Sequence, residues 1–163
     1  MSEATHPDTH AVRVLRKAGV HYTDHQFAPG DGVATDVCAK ALNVDEHSVV
    51  KAILLEADAK PLIVLMHGDM RASAKKLAEI AGVKTVLPCP PEKVVEYTGY
   101  EAGGISPFGT RMEIPVYMEE TILNLRKVYI NGGRIGFFVG MDPYDAVKLL
   151  HPTLVKVGSP RAS

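Results

Sequence analysis

Lys51 interrupts one of the most apolar stretches of the chain, Ser48 to Ala57. On a strand, Val49, Ile53 and Leu55 share its face while Val50, Ala52 and Leu54 fill the other, so neither face has the polar character of a solvated surface. Burying an ammonium is costly unless it is paired, or else its pKa falls. A lysine in such a place either snorkels from an edge strand or is retained as a charge for binding and catalysis. A second unusual segment is Gly103-Gly104-Ile105-Ser106-Pro107. Adjacent glycines let backbone approach a ligand closely and leave N–H groups to point at an anion or a carbonyl, and the proline fixes the exit. Such a loop could supply the oxyanion hole of acyl-group chemistry, although Gly-Gly and Ser-Pro also mark ordinary turns.

Other chemistries lack their residues. The sequence has no GxSxG elbow, no Walker loop, no GxGxxG after a strand and no HExxH. Its seven histidines, at 6, 10, 21, 25, 47, 67 and 151, are scattered, and Cys38 and Cys89 form neither a CxxC pair nor a zinc pattern. The expectation is a site without metal or cofactor. Arg71, Lys75 and Lys76 form one modest basic group and Arg126 and Lys127 another; with Arg111 they are the candidates for phosphate contacts if RNA binds, and otherwise solvated surface.

The elements that must position these residues can be read from periodicity and caps. Ala11, Val14, Leu15 and Ala18 predict a helix over 10–18 closed by Gly19, and Ala34, Val37, Cys38, Ala41 and Leu42 predict a second closed by Asn43. Residues 48–57 read as a strand, 59–61 as a turn and 62–66 as its hairpin partner. A helix follows through Ala74, Leu77, Ala78 and Ala81 to Gly82, then a short strand at 83–87 and a helix opened by Pro90-Pro91 and ended by Gly99. Residues 100–109 are too rich in Gly and Pro for regular structure. Strands are expected around 114–118, 128–130, 135–139 and 153–157, with Asn131-Gly132-Gly133 as a tight hairpin and Asp142-Pro143 opening a last helix. Strands and helices are interspersed without βαβ alternation, so the expected fold is a mixed α+β domain. Its sheet would be mainly antiparallel and barrel-like, with helices packed outside.

A length of 163 residues suits one such domain, expected over 10–157 with residues 1–9 and 158–163 as flexible ends. The longest apolar stretch, Pro61 to Met66, is far short of a membrane span, and the N-terminus has no leader pattern, which points to a cytoplasmic protein. A net charge of −1 excludes a broad nucleic-acid clamp but not a protein that touches only an RNA end.

In their order along the chain, Val50-Lys51-Ala52-Ile53-Leu54-Leu55, then Thr98 to Gly109 with its Gly-Gly-Ile-Ser-Pro core, then Val128 to Arg134, resemble the YbaK/ProX (YbaK/EbsC) family. The resemblance runs from about residue 10 to 157. It implies the fold of the inserted editing domain of bacterial prolyl-tRNA synthetases, with hydrolysis of the ester joining an amino acid to the 3′ end of tRNA, Cys-tRNA(Pro) being the family's characteristic substrate. It further implies Lys51 as the essential lysine, acting with Gly103 and Gly104, and Ile105, Ser106 and Pro107 as the substrate loop. A prolyl-tRNA synthetase is an implied partner beside the aminoacyl-tRNA. Phe27 and Phe138 stand where family members carry a tyrosine and an aspartate, so two substrate-facing polar groups are replaced. An editing fold that holds an aminoacyl-tRNA or a synthetase without turnover is the alternative, and a hydrolase of some other small acyl ester or thioester is a third.

Overall fold

A computed structural model describes residues 7–30 and 34–161. Five helices lie where periodicity and caps place them: α1 (His10–Ala18), α2 (Ala34–Leu42), α3 (Ala74–Ala81), α4 (Val94–Thr98) and α5 (Pro143–Leu150). The Thr9, Ser73 and Asp142 side chains accept backbone N–H bonds at the starts of α1, α3 and α5. At the far ends of α1 and α3, Gly19 and Gly82 both adopt φ 71°, which a residue without Cβ takes up freely.

The strands are β1 (Thr23–Gln26), β2 (Val49–Ala57), β3 (Lys60–His67), β4 (Met70–Ala72), β5 (Val86–Pro88), β6 (Val116–Glu119), β7 (Val128–Arg134), β8 (Phe137–Met141), β9 (Thr153–Val155) and β10 (Gly158–Pro160). The main sheet runs β1-β8-β7-β2-β3-β6-β9, with β5 added on β2, while β4 and β10 form a separate pair. Pairings β1–β8, β7–β8, β2–β3 and β2–β5 are antiparallel; β2–β7, β3–β6 and β6–β9 are parallel. The result is the expected mixed α+β class.

The β2 side chains divide as the alternation requires. Val50 and Leu54 enter the largest core with Ala11 and Leu15 of α1, Tyr97 of α4 and Ala146 of α5. On the other face, Val49 packs with Cys38 and Ala39 of α2, and Leu55 and Ala57 with Leu77 and Ala78 of α3. Lys51 lies on this second face, in the interval between two small cores.

Three local expectations are corrected. The β2–β3 turn is Asp58-Ala59, both with positive φ, and Lys60 and Pro61 belong to β3; a two-residue turn of this kind matches the twist of its strands. Its Asp58 carboxylate accepts the Lys84 and Thr85 N–H groups, which hold it below its ordinary pKa. Asn131-Gly132-Gly133 is not the hairpin turn. It lies within β7, where the Asn131 side-chain oxygen accepts the N–H groups of Gly133 and Arg134 at 2.7 and 3.2 Å and creates a bulge, and the chain reverses at Ile135-Gly136. Finally, the chain is ordered beyond 157. Gly158–Pro160 pairs with β4, and the buried Glu119 carboxylate accepts the N–H groups of Val157 and Gly158 at 2.8 and 3.1 Å. At the other end Thr9 is buried, capping α1 and donating to the Gly132 carbonyl. Residues 1–6 and 162–163 of the expected loose ends lie outside the described residues. Among the described residues no helix is long and apolar enough to cross a membrane.

Candidate active site

One edge of β2 is paired with β3 from Val50 to Ala57. On its other edge β7 pairs only at Val49 and Val50, and β5 only at Leu55 to Ala57. Among the described residues no strand pairs with that edge from Lys51 to Leu54. A cavity of about 150 Å³ opens there, lined by Ala34 and Thr35 of α2, Val50, Lys51 and Ala52 of β2, Gly103 and Ile105 of the loop, Asn131 of β7 and Phe138 of β8. Interrupted pairing thus provides a concave site with a lysine at its wall, inside an otherwise apolar sheet.

Lys51 is half-buried, and its ammonium donates to the Gly68 carbonyl at 3.4 Å, a long bond. Among the described residues no carboxylate lies within ion-pairing distance of it. Burial is the main influence lowering its pKa, with Arg161 next; Glu46 and Asp69 oppose the shift. Gly68 is the position that makes this arrangement possible. Its N–H donates to the Val49 carbonyl at 2.6 Å, and a Cβ there would stand 2.7 Å from the Thr35 Cβ and 2.9 Å from the Val49 carbonyl oxygen. Only glycine lets the turn sit against α2 and aim its carbonyl at the lysine.

The glycine loop divides its work. Gly103 is exposed, has φ 88° and faces the cavity beside Ile105. Gly104 is buried against the β7–β8 turn, where a Cβ would lie 2.8 Å from the Ile135 nitrogen and 2.9 Å from the Arg134 carbonyl carbon. Its N–H is already donated to the Glu101 carbonyl at 2.9 Å. Ser106 is fully buried, and its hydroxyl accepts the Phe108 N–H at 3.2 Å. Pro107 lines a different depression, with Val14, Phe108 and Ile114. The structure therefore brings Gly103 and Ile105 to Lys51 and leaves Gly104, Ser106 and Pro107 outside the cavity, as supports that fix the loop. Tyr100 completes the support by donating to the Phe108 carbonyl; burial pushes its phenol up to about 12.

Phe138 forms an apolar wall of the cavity, and Phe27 stacks on it with ring centroids 5.7 Å apart at 30°. Asn131, directly across the ladder from Phe138, commits its carboxamide oxygen to the bulge and is itself a lining residue of the cavity. Thr35, Gly68 and Asn131 were not singled out from sequence. Thr35 and Gly68 look like ordinary helix and turn residues, and Asn131 beside two glycines has the composition of a turn.

A larger hollow of about 330 Å³ lies behind the loop, bounded by Asp8, Arg13, Tyr100, Glu101, Gly104 and Arg134. Asp8 is paired with Arg13, which holds its carboxyl below the usual range, and the lining charges cancel. The smaller cavity, whose ammonium has no carboxylate partner among the described residues, is the better candidate. Among the described residues no group of three or more His, Cys, Asp or Glu is placed to hold a metal ion. Of the basic residues, Arg71 comes close enough to influence Lys51, and Lys127 stacks its ammonium over Tyr129 at 5.4 Å.

Comparison with known proteins bears on the family and the fold. The sequence model of the aminoacyl-tRNA editing domain matches residues 31–149. The chain is 23% identical over 155 residues, 94% of either chain, to the Enterococcus faecalis protein named "Putative Cys-tRNA(Pro)/Cys-tRNA(Cys) deacylase EbsC". It is 31% identical over 111 residues to the proline–tRNA ligase of Lactobacillus helveticus, covering 64% of this chain but 20% of the ligase, so it spans about a fifth of that relative. A crystal structure described as a putative trans-editing enzyme for prolyl tRNA synthetase superposes with TM-score 0.81 at 21% identity, covering 94% of this chain and 99% of the other, and shares the fold.

Proposed function

Because the chain belongs to the aminoacyl-tRNA editing domain family, we propose that it is a hydrolase that removes a wrongly attached amino acid from tRNA, acting in trans at the Lys51 cavity. The observation that carries this reading is a half-buried ammonium without a carboxylate partner among the described residues, facing a glycine whose backbone can approach a ligand. A charge kept in that state is costly to the fold and useful to an anionic or carbonyl-bearing substrate.

In the proposed reaction Lys51 anchors the 3′-terminal phosphate or the ester carbonyl. Gly103 and Asn131, which line the cavity with Lys51, are the proposed donors to the developing oxyanion. Water adds to the ester carbon, the C–O bond to the ribose breaks, and the products are free amino acid and tRNA with its hydroxyl restored. With cysteine as the amino acid, its own thiol can attack the ester carbon in place of water, breaking the C–O bond to the ribose oxygen, which takes the thiol proton, and water then opens the resulting thiolactone to free cysteine. Gly104, Ser106 and Pro107 hold the loop, and the Phe27–Phe138 stack presents an apolar wall to the amino-acid side chain. Ile135, about half exposed and packed beside Gly103, offers an apolar rim for the terminal base.

A cavity of about 150 Å³, equal to roughly five times the 30 Å³ that a water occupies in the liquid, suits a small side chain. Together with the name borne by the Enterococcus relative and the likeness to proline–tRNA ligase, this favours Cys-tRNA(Pro) as substrate and a prolyl-tRNA synthetase as the supplier of mischarged tRNA, and that role carries with it the proposal of a cytoplasmic setting. The second reading, a binding module without turnover, draws on the Phe27–Phe138 stack, which provides no polar group for the substrate. The test is a panel of tRNAs charged with Cys, Ala, Ser, Thr and Pro, with release of each amino acid followed in a single turnover. Cysteine leaving tRNA(Pro) fastest is the expected outcome. Binding of the charged tRNAs without release from any would select the second reading.

A further inference from the structure

Among the described residues two carboxylates, Asp69 and Glu46, act on Lys51, and each is engaged elsewhere. Asp69 is paired with the His47 imidazole at 2.9 Å. Glu46, whose side chain is only 13% exposed, receives both guanidinium nitrogens of Arg161, at 3.1 Å on Oε2 and 3.0 Å on Oε1, and the Thr35 hydroxyl at 2.8 Å. Arg161 also donates to the Gly68 carbonyl at 3.4 Å, the same oxygen that Lys51 reaches at 3.4 Å. Among the described residues a lysine and an arginine therefore share one acceptor, and the arginine bonds both oxygens of the Glu46 carboxylate beside it.

We propose that Arg161 is a positioning residue for Lys51: by occupying both oxygens of Glu46 it prevents that carboxylate from capturing the lysine, and so keeps the ammonium available to the substrate. The proposal rests on the deacylase reading for its functional consequence. Its physical basis is the difference between the two cations. The planar fork of a guanidinium fits a carboxylate with two parallel bonds, whereas an ammonium is a point charge, so Glu46 prefers Arg161 while both are present. Removing the fork leaves Glu46, among the described residues, with the Thr35 hydroxyl, in a place where an unpaired carboxylate is unfavourable, and Lys51, which shares the Gly68 carbonyl with Arg161, is the cation positioned to take its place.

The fold holds Arg161 there by means unrelated to the family match, which ends at residue 149. Strand β10 pairs with β4, the Arg161 N–H donates to the Asp69 carbonyl at 3.4 Å, and Glu119 secures the approach at Val157 and Gly158. Among the described residues the charged and titratable groups around Lys51 are Glu46, Asp69, Arg71 and Arg161, with His47 paired to Asp69 and His67 stacked on His47. Arg161 and Glu46 push its titration in opposite directions.

The experiment measures two quantities in Arg161→Met and in Arg161→Met combined with Glu46→Gln. One is the Lys51 side-chain titration by NMR of the free protein, and the other is single-turnover deacylation. Arg161→Met should raise the Lys51 midpoint and lower kcat/KM on the order of tenfold, and adding Glu46→Gln should restore both. A midpoint and rate unchanged by Arg161→Met, or a double variant no better than the single one, would overturn the proposal. If Arg161→Met does not fold, Arg161→Lys keeps the cation without the fork and should raise the midpoint by less; an unchanged midpoint there has the same adverse meaning. The NMR arm uses no tRNA, so a wild-type protein inert toward every charged tRNA would remove the deacylase reading while the Lys51 midpoints still decide the Glu46 competition.

Discussion

On the β2–β3 hairpin, Lys51 of β2 and His67 of β3 are titratable side chains set among apolar neighbours, and they have opposite fates. His67 is fully buried and satisfied at both ring nitrogens. The His47 carbonyl can only accept, so Nδ1 carries the proton at 2.7 Å, and Nε2 accepts the Thr121 hydroxyl at 2.7 Å. The His47 ring stacks on it at 3.7 Å between centroids, with 5° between the planes. Lys51, one register position away beside Met66, is less buried and has only one long bond to a carbonyl. A buried polar group with every valence filled belongs to the architecture, whereas one left partly unsatisfied at a cavity is held ready for something else.

The largest effect should come from Lys51→Met, which keeps the length and removes the charge. Deacylation is expected to fall on the order of a hundredfold or more through loss of a charge-based contact. Because burial lowers the Lys51 pKa, its folded charged form is disfavoured, and thermal stability should be unchanged or raised. A thermal melt beside a single-turnover assay checks both. A fully active Met variant would remove Lys51 from the mechanism, and an unfolded one would make it structural like its neighbour.

His67→Leu should show the reverse pattern. It strips partners from the His47 carbonyl and the Thr121 hydroxyl at a buried position, a loss of about 1–3 kcal/mol measurable by denaturant unfolding, with the rate per folded molecule little changed. Comparable losses of rate and stability in this variant would erase the distinction between the two residues.

The glycine loop repeats the contrast on a smaller scale. Gly104→Ala places a Cβ against backbone atoms of the β7–β8 turn, which has to shift, whereas at Gly103 only the Ile135 side chain comes near, at 3.5 Å, and the penalty is the positive φ, about 1 kcal/mol. Gly104→Ala should therefore lower Tm more than Gly103→Ala. Equal Tm values would mean that the loop does not dock through Gly104.

The smallest expected effect is a pH dependence. Burial lowers the His67 pKa from 6.5, so the unfolded chain binds a proton more readily than the folded one. The stability held by neutral His67 is complete above 6.5 and is lost as pH falls below that toward the lowered value. His25, also lowered, acts in the same direction. Unfolding free energy should decline between pH 7 and 5, and His67→Gln should flatten but not abolish the slope. A slope identical in the variant would assign the dependence elsewhere.

The sequence by itself determined the helices, because their apolar spacing, caps and terminal glycines are local facts, and it marked Lys51 because an ammonium conflicts with an alternating apolar strand. It also marked Gly103 and Ile105 as part of an irregular loop that now meets Lys51. Its misreadings were those in which local chemistry was overruled at a distance. Asn131-Gly132-Gly133 has the composition of a turn, but the Asn131 carboxamide bulges a strand instead, and residues 158–160 look loose until Glu119 and β4 give them partners. Only the tertiary structure decided that the β2 edge would be left unpaired, that Gly104, Ser106 and Pro107 would support the loop from outside the cavity, and that Thr35, Gly68, Glu46 and Arg161 would surround one lysine. Residues 46 and 161 are brought together by the pairing of β10 with β4, and that ladder joins parts of the chain whose separation no local pattern records.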